Sequence, residues 1–170
     1  MKKLFKVALI AVSMLFVGNF AKAQSKIGYI NFDAIIGQLP EYKTVKSQLD
    51  IYQKQFIDQL TAMNNELQTK GQEFQKTSTT MTDAIRSAKQ SELQDIQKRM
   101  QDYQNDAQQK VEAKTNELSK PLVDKVRAAV TEVAKEKGYT YVFNAAQIQF
   151  VVSPEGDDLM APVKVKLGIK

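Results

Sequence analysis

Residues 41–119 contain no proline and a single glycine, Gly71, and their apolar side chains recur at steps of three and four. In the first half these are Tyr42, Val45, Leu49, Tyr52, Phe56, Leu60, Met63, Leu67 and Phe74. In the second half they are Ile85, Ala88, Leu93, Ile96, Met100, Tyr103, Ala107, Val111 and Leu118. A stripe this narrow is the seam of a coiled coil, not the broad apolar face of a globular helix. Between the halves, residues 76–83 are polar and rich in threonine, whose hydroxyl competes with the helix backbone for hydrogen bonds. Thr80 with Asp83 three positions on resembles a capping box that would open a second helix.

The two seams also fit one another. If the helices run antiparallel, facing layers have position numbers of constant sum. Phe74 with Ile85, Leu67 with Leu93, Leu60 with Met100, Phe56 with Tyr103 and Leu49 with Val111 keep that sum constant to within one. A stutter of two four-residue steps at Tyr52, Phe56 and Leu60 meets a matching one at Tyr103, Ala107 and Val111. The expectation is one helical hairpin with arms of roughly 37 residues, about 55 Å long at 1.5 Å per residue.

Lys2, Lys3 and Lys6 precede an apolar run over residues 7–17, and Ala21-Lys22-Ala23 supplies a small-x-small cleavage site. The pattern is that of a secretory signal peptide, with the mature chain starting at Gln24. As a membrane anchor the run is short, because a bilayer core needs about 20 apolar residues. Processing changes the charge. The whole chain carries 24 Lys and Arg against 19 Asp and Glu, net +5; removing Lys2, Lys3, Lys6 and Lys22 leaves 24 − 4 − 19 = +1. The basic balance is thus largely an export signal and gives no argument for nucleic-acid binding. The chain has neither histidine nor cysteine. Histidine-based triads, cysteine nucleophiles and the usual zinc ligands are therefore excluded, and no cofactor is expected. The carboxylates of the arms alternate with Lys and Gln and have no walled cleft, so an enzyme is not expected.

Outside the hairpin, residues 26–32 read as a strand with Ile27 and Tyr29 on one face and Ile30 and Phe32 on the other, covered on both sides. Asp33 is the expected N-cap of a helical turn through Ile36, and Pro40 introduces the long helix. Pro121 is expected to end the free hairpin. Leu122, Val126, Ala129, Val130 and Val133 then continue a broader helical stripe to Lys137, with Gly138 as the stop. Residues 139–144 and 148–152 alternate as two further strands, joined by a hairpin turn at Ala145-Ala146-Gln147. Asp157 or Asp158 is expected to cap the segment that follows. Leu159, Val163 and Leu167 favour a terminal helix there, while Val163, Val165, Leu167 and Ile169 allow a strand.

So small a strand body cannot close a core alone, and oligomerisation is expected. Lys26-Ile-Gly-Tyr-Ile-Asn-Phe, followed by Leu39-Pro-Glu-Tyr42, resembles the start of the Skp/OmpH family of periplasmic chaperones. Glu132-Val-Ala-Lys-Glu-Lys-Gly-Tyr139 and Gly156-Asp-Asp-Leu159 resemble its C-terminal part. The resemblance spans the mature chain. It implies an α+β fold in which a long antiparallel coiled-coil hairpin, a tentacle, stands on a small β-body completed by trimerisation. Residues 24–40 and 120–170 would form the body and 41–119 the tentacle. Ile27, Tyr29, Ile30, Phe32, Tyr141, Phe143, Ile148, Phe150 and Val152 would line the trimer body. The implied activity is ATP-independent holding of unfolded outer-membrane proteins in a cavity between tentacles, in the periplasm.

Members of that family with strongly basic tentacles are thought to bind acidic clients and lipopolysaccharide; here residues 41–119 carry 11 basic and 12 acidic side chains, so no lipopolysaccharide site is carried over. Ile51, Ile57 and Met81 lie off the seam, as client contacts or as ordinary surface residues. Gly71 is either a gap in the seam or a joint that lets the arm splay. Two other classes fit a coiled-coil hairpin. One is an adaptor that docks on a channel, which usually carries larger flanking β-domains. The other is an envelope scaffold without a client.

Overall fold

The computed structural model describes residues 25–169; the signal-peptide reading falls outside the described residues. The elements are β1 (Ile27–Ile30), α1 (Phe32–Ile36), α2 (Pro40–Thr77), α3 (Asp83–Glu136), β2 (Tyr141–Asn144), a short 3-10 turn (Glu155–Asp157) and α4 (Met160–Leu167). α2 and α3 form the expected antiparallel hairpin. With 38 residues, α2 is about 57 Å long at 1.5 Å per residue. The Phe56 and Tyr103 rings meet across the hairpin at 6.0 Å, in the register the seams require. Met63, Ile96 and Ala107 are buried along this line, and most remaining seam residues are half-buried. Ile85, in the layer at the tip, is exposed because a terminal layer has a neighbour on one side only; Tyr42, at the base, is exposed as well.

Helix ends differ from expectation in detail. Asn31, not Asp33, caps α1: its side chain accepts from the Ala34 N–H at 2.9 Å, and Asp33 sits in the first turn. Thr82, not Thr80, caps α3. At the tip, Arg86 ties down the turn. Its guanidinium donates to the Ser78 and Met81 carbonyls at 3.2 and 3.1 Å and pairs with Asp83 at 3.0 Å.

As the spacing beyond Pro121 requires, α3 runs through that proline to Glu136. Proline removes the N–H that would bond the Glu117 carbonyl. The next turns bury Leu122, Val126, Ala129 and Val133, and that packing holds the helix across the defect. These four pack with Ile30, Ile35, Leu39, Leu159 and Val163 into one core at the base of the hairpin.

The sheet departs most from the sequence reading. It has two strands, and they are parallel, with Ile27 opposite Tyr141 and Ile30 opposite Asn144. Parallel strands need a long crossover, and the entire α2–α3 hairpin serves as that connection. Residues 148–152 form no strand, although the turn at 145–147 is present, closed by the Gln147 N–H on the Asn144 carbonyl at 3.1 Å. Alternation alone does not make a strand: the outer edge of β2 stays free among the described residues, and 148–152 do not pair with it. The outer edge of β1 is already met by Asp158, bridged to Tyr29, with the Leu159 N–H on the Tyr29 carbonyl at 2.9 Å.

The terminal segment is a helix, α4. Its N-cap is Leu159, not Asp157 or Asp158; the Asp158 carboxylate, one residue earlier, accepts from the Met160 N–H at 2.8 Å, and Gly168 closes the helix in the left-handed region at φ 70°. No helix among the described residues is long and apolar enough to cross a membrane.

Candidate functional site

Two surfaces emerge from this arrangement. The first is the open face of the sheet. Parallel register places Ile27 beside Tyr141 and Tyr29 beside Phe143 on one side, while Gly28 and Ile30 turn to the core. The core side is tight: a Cβ on Gly28 would overlap Leu159 and stand 3.0 Å from the Tyr139 ring. The opposite side is bare. Ile27, Tyr141 and Phe143 are exposed, and only Phe150 covers part of it, its ring 5.3 Å from that of Tyr29.

The nine body residues therefore divide. Ile30 and Phe32 serve the core of the chain itself, with Phe32 in α1 and not in the strand. Ile27, Tyr29, Tyr141, Phe143 and Phe150 gather on the open face. Ile148 and Val152 are exposed beside it, together with Val151 at 97% exposure, a residue the alternation pattern assigned to the other side. The expectation that β1 is covered on both faces fails within one chain.

The second surface is the hairpin. Ile51 and Ile57 are 61% and 60% exposed on α2. Met81 is different: it lies half-buried in the tip turn, with its carbonyl held by Arg86. Gly71 lies inside α2, with open space where a Cβ would stand beyond the helix's own backbone. Seam spacing could not single out Ile85, which it placed inside although its outer layer leaves it exposed.

The charges of the arms neutralise one another locally. Lys54–Asp58, Lys98–Asp102 and Lys110–Asp106 pair along single helices, and Lys70 reaches across the hairpin to Glu92, which also meets Lys89. The Lys70 hydrogen bond holds the Glu92 carboxyl below its ordinary value. At the base, Glu41 pairs with Lys125 across the two helices and is likewise held low. Such solvated pairs contribute little each.

The family described as "Outer membrane protein (OmpH-like)" matches residues 26–167. The chain belongs to the OmpH-like family. Among the relatives of this OmpH-like chain, Chaperone protein Skp of Photorhabdus luminescens is 28% identical, over 96% of this chain and 97% of its own. Chaperone protein Skp of Yersinia enterocolitica is 30% identical, over 82% and 87% respectively. Outer membrane protein 26 of Haemophilus influenzae is 28% identical, over 96% and 93%. In structure, a putative outer membrane chaperone (OmpH-like) from Caulobacter crescentus superposes with a TM-score of 0.65 over 88% of each chain, at 15% identity. The α+β fold, a long helical hairpin on a small sheet, is thus the fold of this family.

Proposed function

We propose that this OmpH-like protein is a periplasmic, ATP-independent holdase that keeps unfolded outer-membrane proteins from aggregating. The observation that carries this reading is the solvated hairpin, about 57 Å long, which presents isolated apolar side chains such as Ile51 and Ile57 on a charge-balanced surface. Its close relatives in sequence are named as chaperones. A holdase must grip weakly at many points so that the client can leave. Each exposed apolar contact contributes about 1–2 kcal/mol at about 25 cal/mol per Å². Several such contacts in one cavity act together through high effective concentration.

In this reading three copies join through the bodies, residues 24–40 and 120–170, and the tentacles, 41–119, enclose the client. The open face of Ile27, Tyr29, Tyr141 and Phe143 supports assembly, because an apolar sheet face of this kind is normally covered. Residues 148–152, which stay unpaired in their own chain, would pair in a neighbouring copy. Gly71 would let the arm splay, and the leader would direct export.

The test is suppression of aggregation when a urea-unfolded outer-membrane barrel protein is diluted into buffer. The protein at a small molar excess of trimer should hold the barrel soluble without nucleotide. No suppression would leave an adaptor or scaffold instead. Replacing Ile51, Ile57 and Met81 together by serine should weaken holding while light scattering still gives three times the chain mass. Normal holding by this variant would place the grip elsewhere on the arms.

A further inference from the structure

The sheet has two edges, and the chain treats them differently. The outer edge of β2 pairs with no strand among the described residues. The outer edge of β1 is met by the segment leading into α4: Tyr29 bridges to Asp158, and its carbonyl accepts from the Leu159 N–H at 2.9 Å. That carbonyl belongs to the third residue of a four-residue strand.

The covering segment is tied from several directions. The Tyr139 hydroxyl is shared between the Gly156 carbonyl at 3.0 Å and the Asp157 carboxylate at 3.1 Å. Leu159 and Val163 are fully buried in the core. Lys166 of α4 pairs with Glu132 at 2.7 Å and Glu136 at 2.9 Å on the last turns of α3.

We infer that residues 155–167 form an edge guard, a strap that occupies β1 so that further copies of the chain cannot add strands there. An unpaired strand edge is a template for another chain. A sheet open on both edges can be extended from either side, whereas a sheet with one edge covered can be extended from the other alone. The strap thus separates assembly at β2 from open-ended growth through β1. The polar ties from Tyr139 and Lys166 keep it docked. This role does not depend on client holding.

The test is the full-length protein with Tyr139→Phe and Lys166→Gln together, which keeps every buried apolar side chain. Hydrogen exchange over the peptide containing Leu159 should accelerate about tenfold, as expected for the loss of one or two net hydrogen bonds. Sedimentation should show species heavier than the native assembly at several times their wild-type fraction, with helical signal intact. If α4 merely filled the core, the same loosening would produce lighter, dissociated or unfolded species, and that result overturns the inference. Accelerated exchange without heavier species also overturns it, as does an unchanged Leu159 amide, which would deny the ties their role. Should the double variant lose its helical signal, Tyr139→Phe alone is read by the same two measurements.

Discussion

The body and the hairpin use similar side chains to different effect. In the body, β1, α1, α4 and the end of α3 converge from several directions, so that Ile35, Val126 and Val163 have no exposed surface. In the hairpin each residue has one partner helix, and apart from Met63, Ile96 and Ala107 the seam stays partly wet. A two-helix arm cannot do better, because two cylinders touch along a single line. The difference teaches where stability resides: the arm is long and lightly held, and the body anchors both of its ends.

The sharpest way to break this comparison is to move the line of contact. Cysteines at Leu60 and Met100, in a chain with none of its own, should crosslink within one chain, while cysteines at Leu60 and Leu118 should not. The opposite outcome on a denaturing gel would overturn the register. Next, Ile35→Ala in the body should cost about 2–5 kcal/mol, the range for a fully buried large-to-small change. Leu60→Ala in the arm should cost about 1–2 kcal/mol, because less of its surface leaves water. Urea midpoints read both, and equal losses would erase the distinction.

Smaller effects probe the surfaces. With 11 basic and 12 acidic residues in the arms, affinity for an acidic unfolded client should change by less than about threefold between about 20 and 200 mM salt. A steep loss measured by fluorescence anisotropy would reveal an electrostatic grip. The smallest effect is acid sensitivity. Hydrogen bonds from Lys125, Lys70 and Lys166 hold Glu41, Glu92 and Glu132 below their ordinary value of 4.5 in the folded chain. A depressed folded-state value stabilises above the unfolded value, so this contribution is present above pH 4.5 and disappears as pH falls through the folded values. The groups are solvated, so the urea midpoint should fall only slightly on acidification across that window. A rise would reverse the sign of the argument.

The hairpin was legible because its information is local and doubled: each seam fixes its own period, and the two seams check one another, as Phe56 and Tyr103 do. The sheet was not legible for the opposite reason. Alternation in residues 148–152 reports a capacity to pair, while pairing itself depends on an edge supplied from elsewhere. The turn at 145–147 looked like a hairpin because sequence does not disclose that 148–152 leave the outer edge of β2 unpaired. The helical spacing beyond Pro121 was legible too, since Leu122, Val126, Ala129 and Val133 are the residues that α3 buries in the body. Of the surface residues, Ile51 and Ile57 stand exposed as off-seam spacing required, but Met81 is partly enclosed by a tip clamp centred on Arg86, which no periodicity announces.

The parallel pairing of β1 with β2 also fixes an order in time. The Phe32 N–H and the Asn144 side chain that close this end of the sheet are 112 positions apart, and closing so long a loop is slow unless the chain between is already compact. A chain that emerges N-terminus first must therefore leave β1 waiting while the hairpin forms from neighbouring turns and shortens the loop. Only when Asn144 emerges can the two ends meet. The arm, the less stable part of the finished molecule, is thus the part that must fold first.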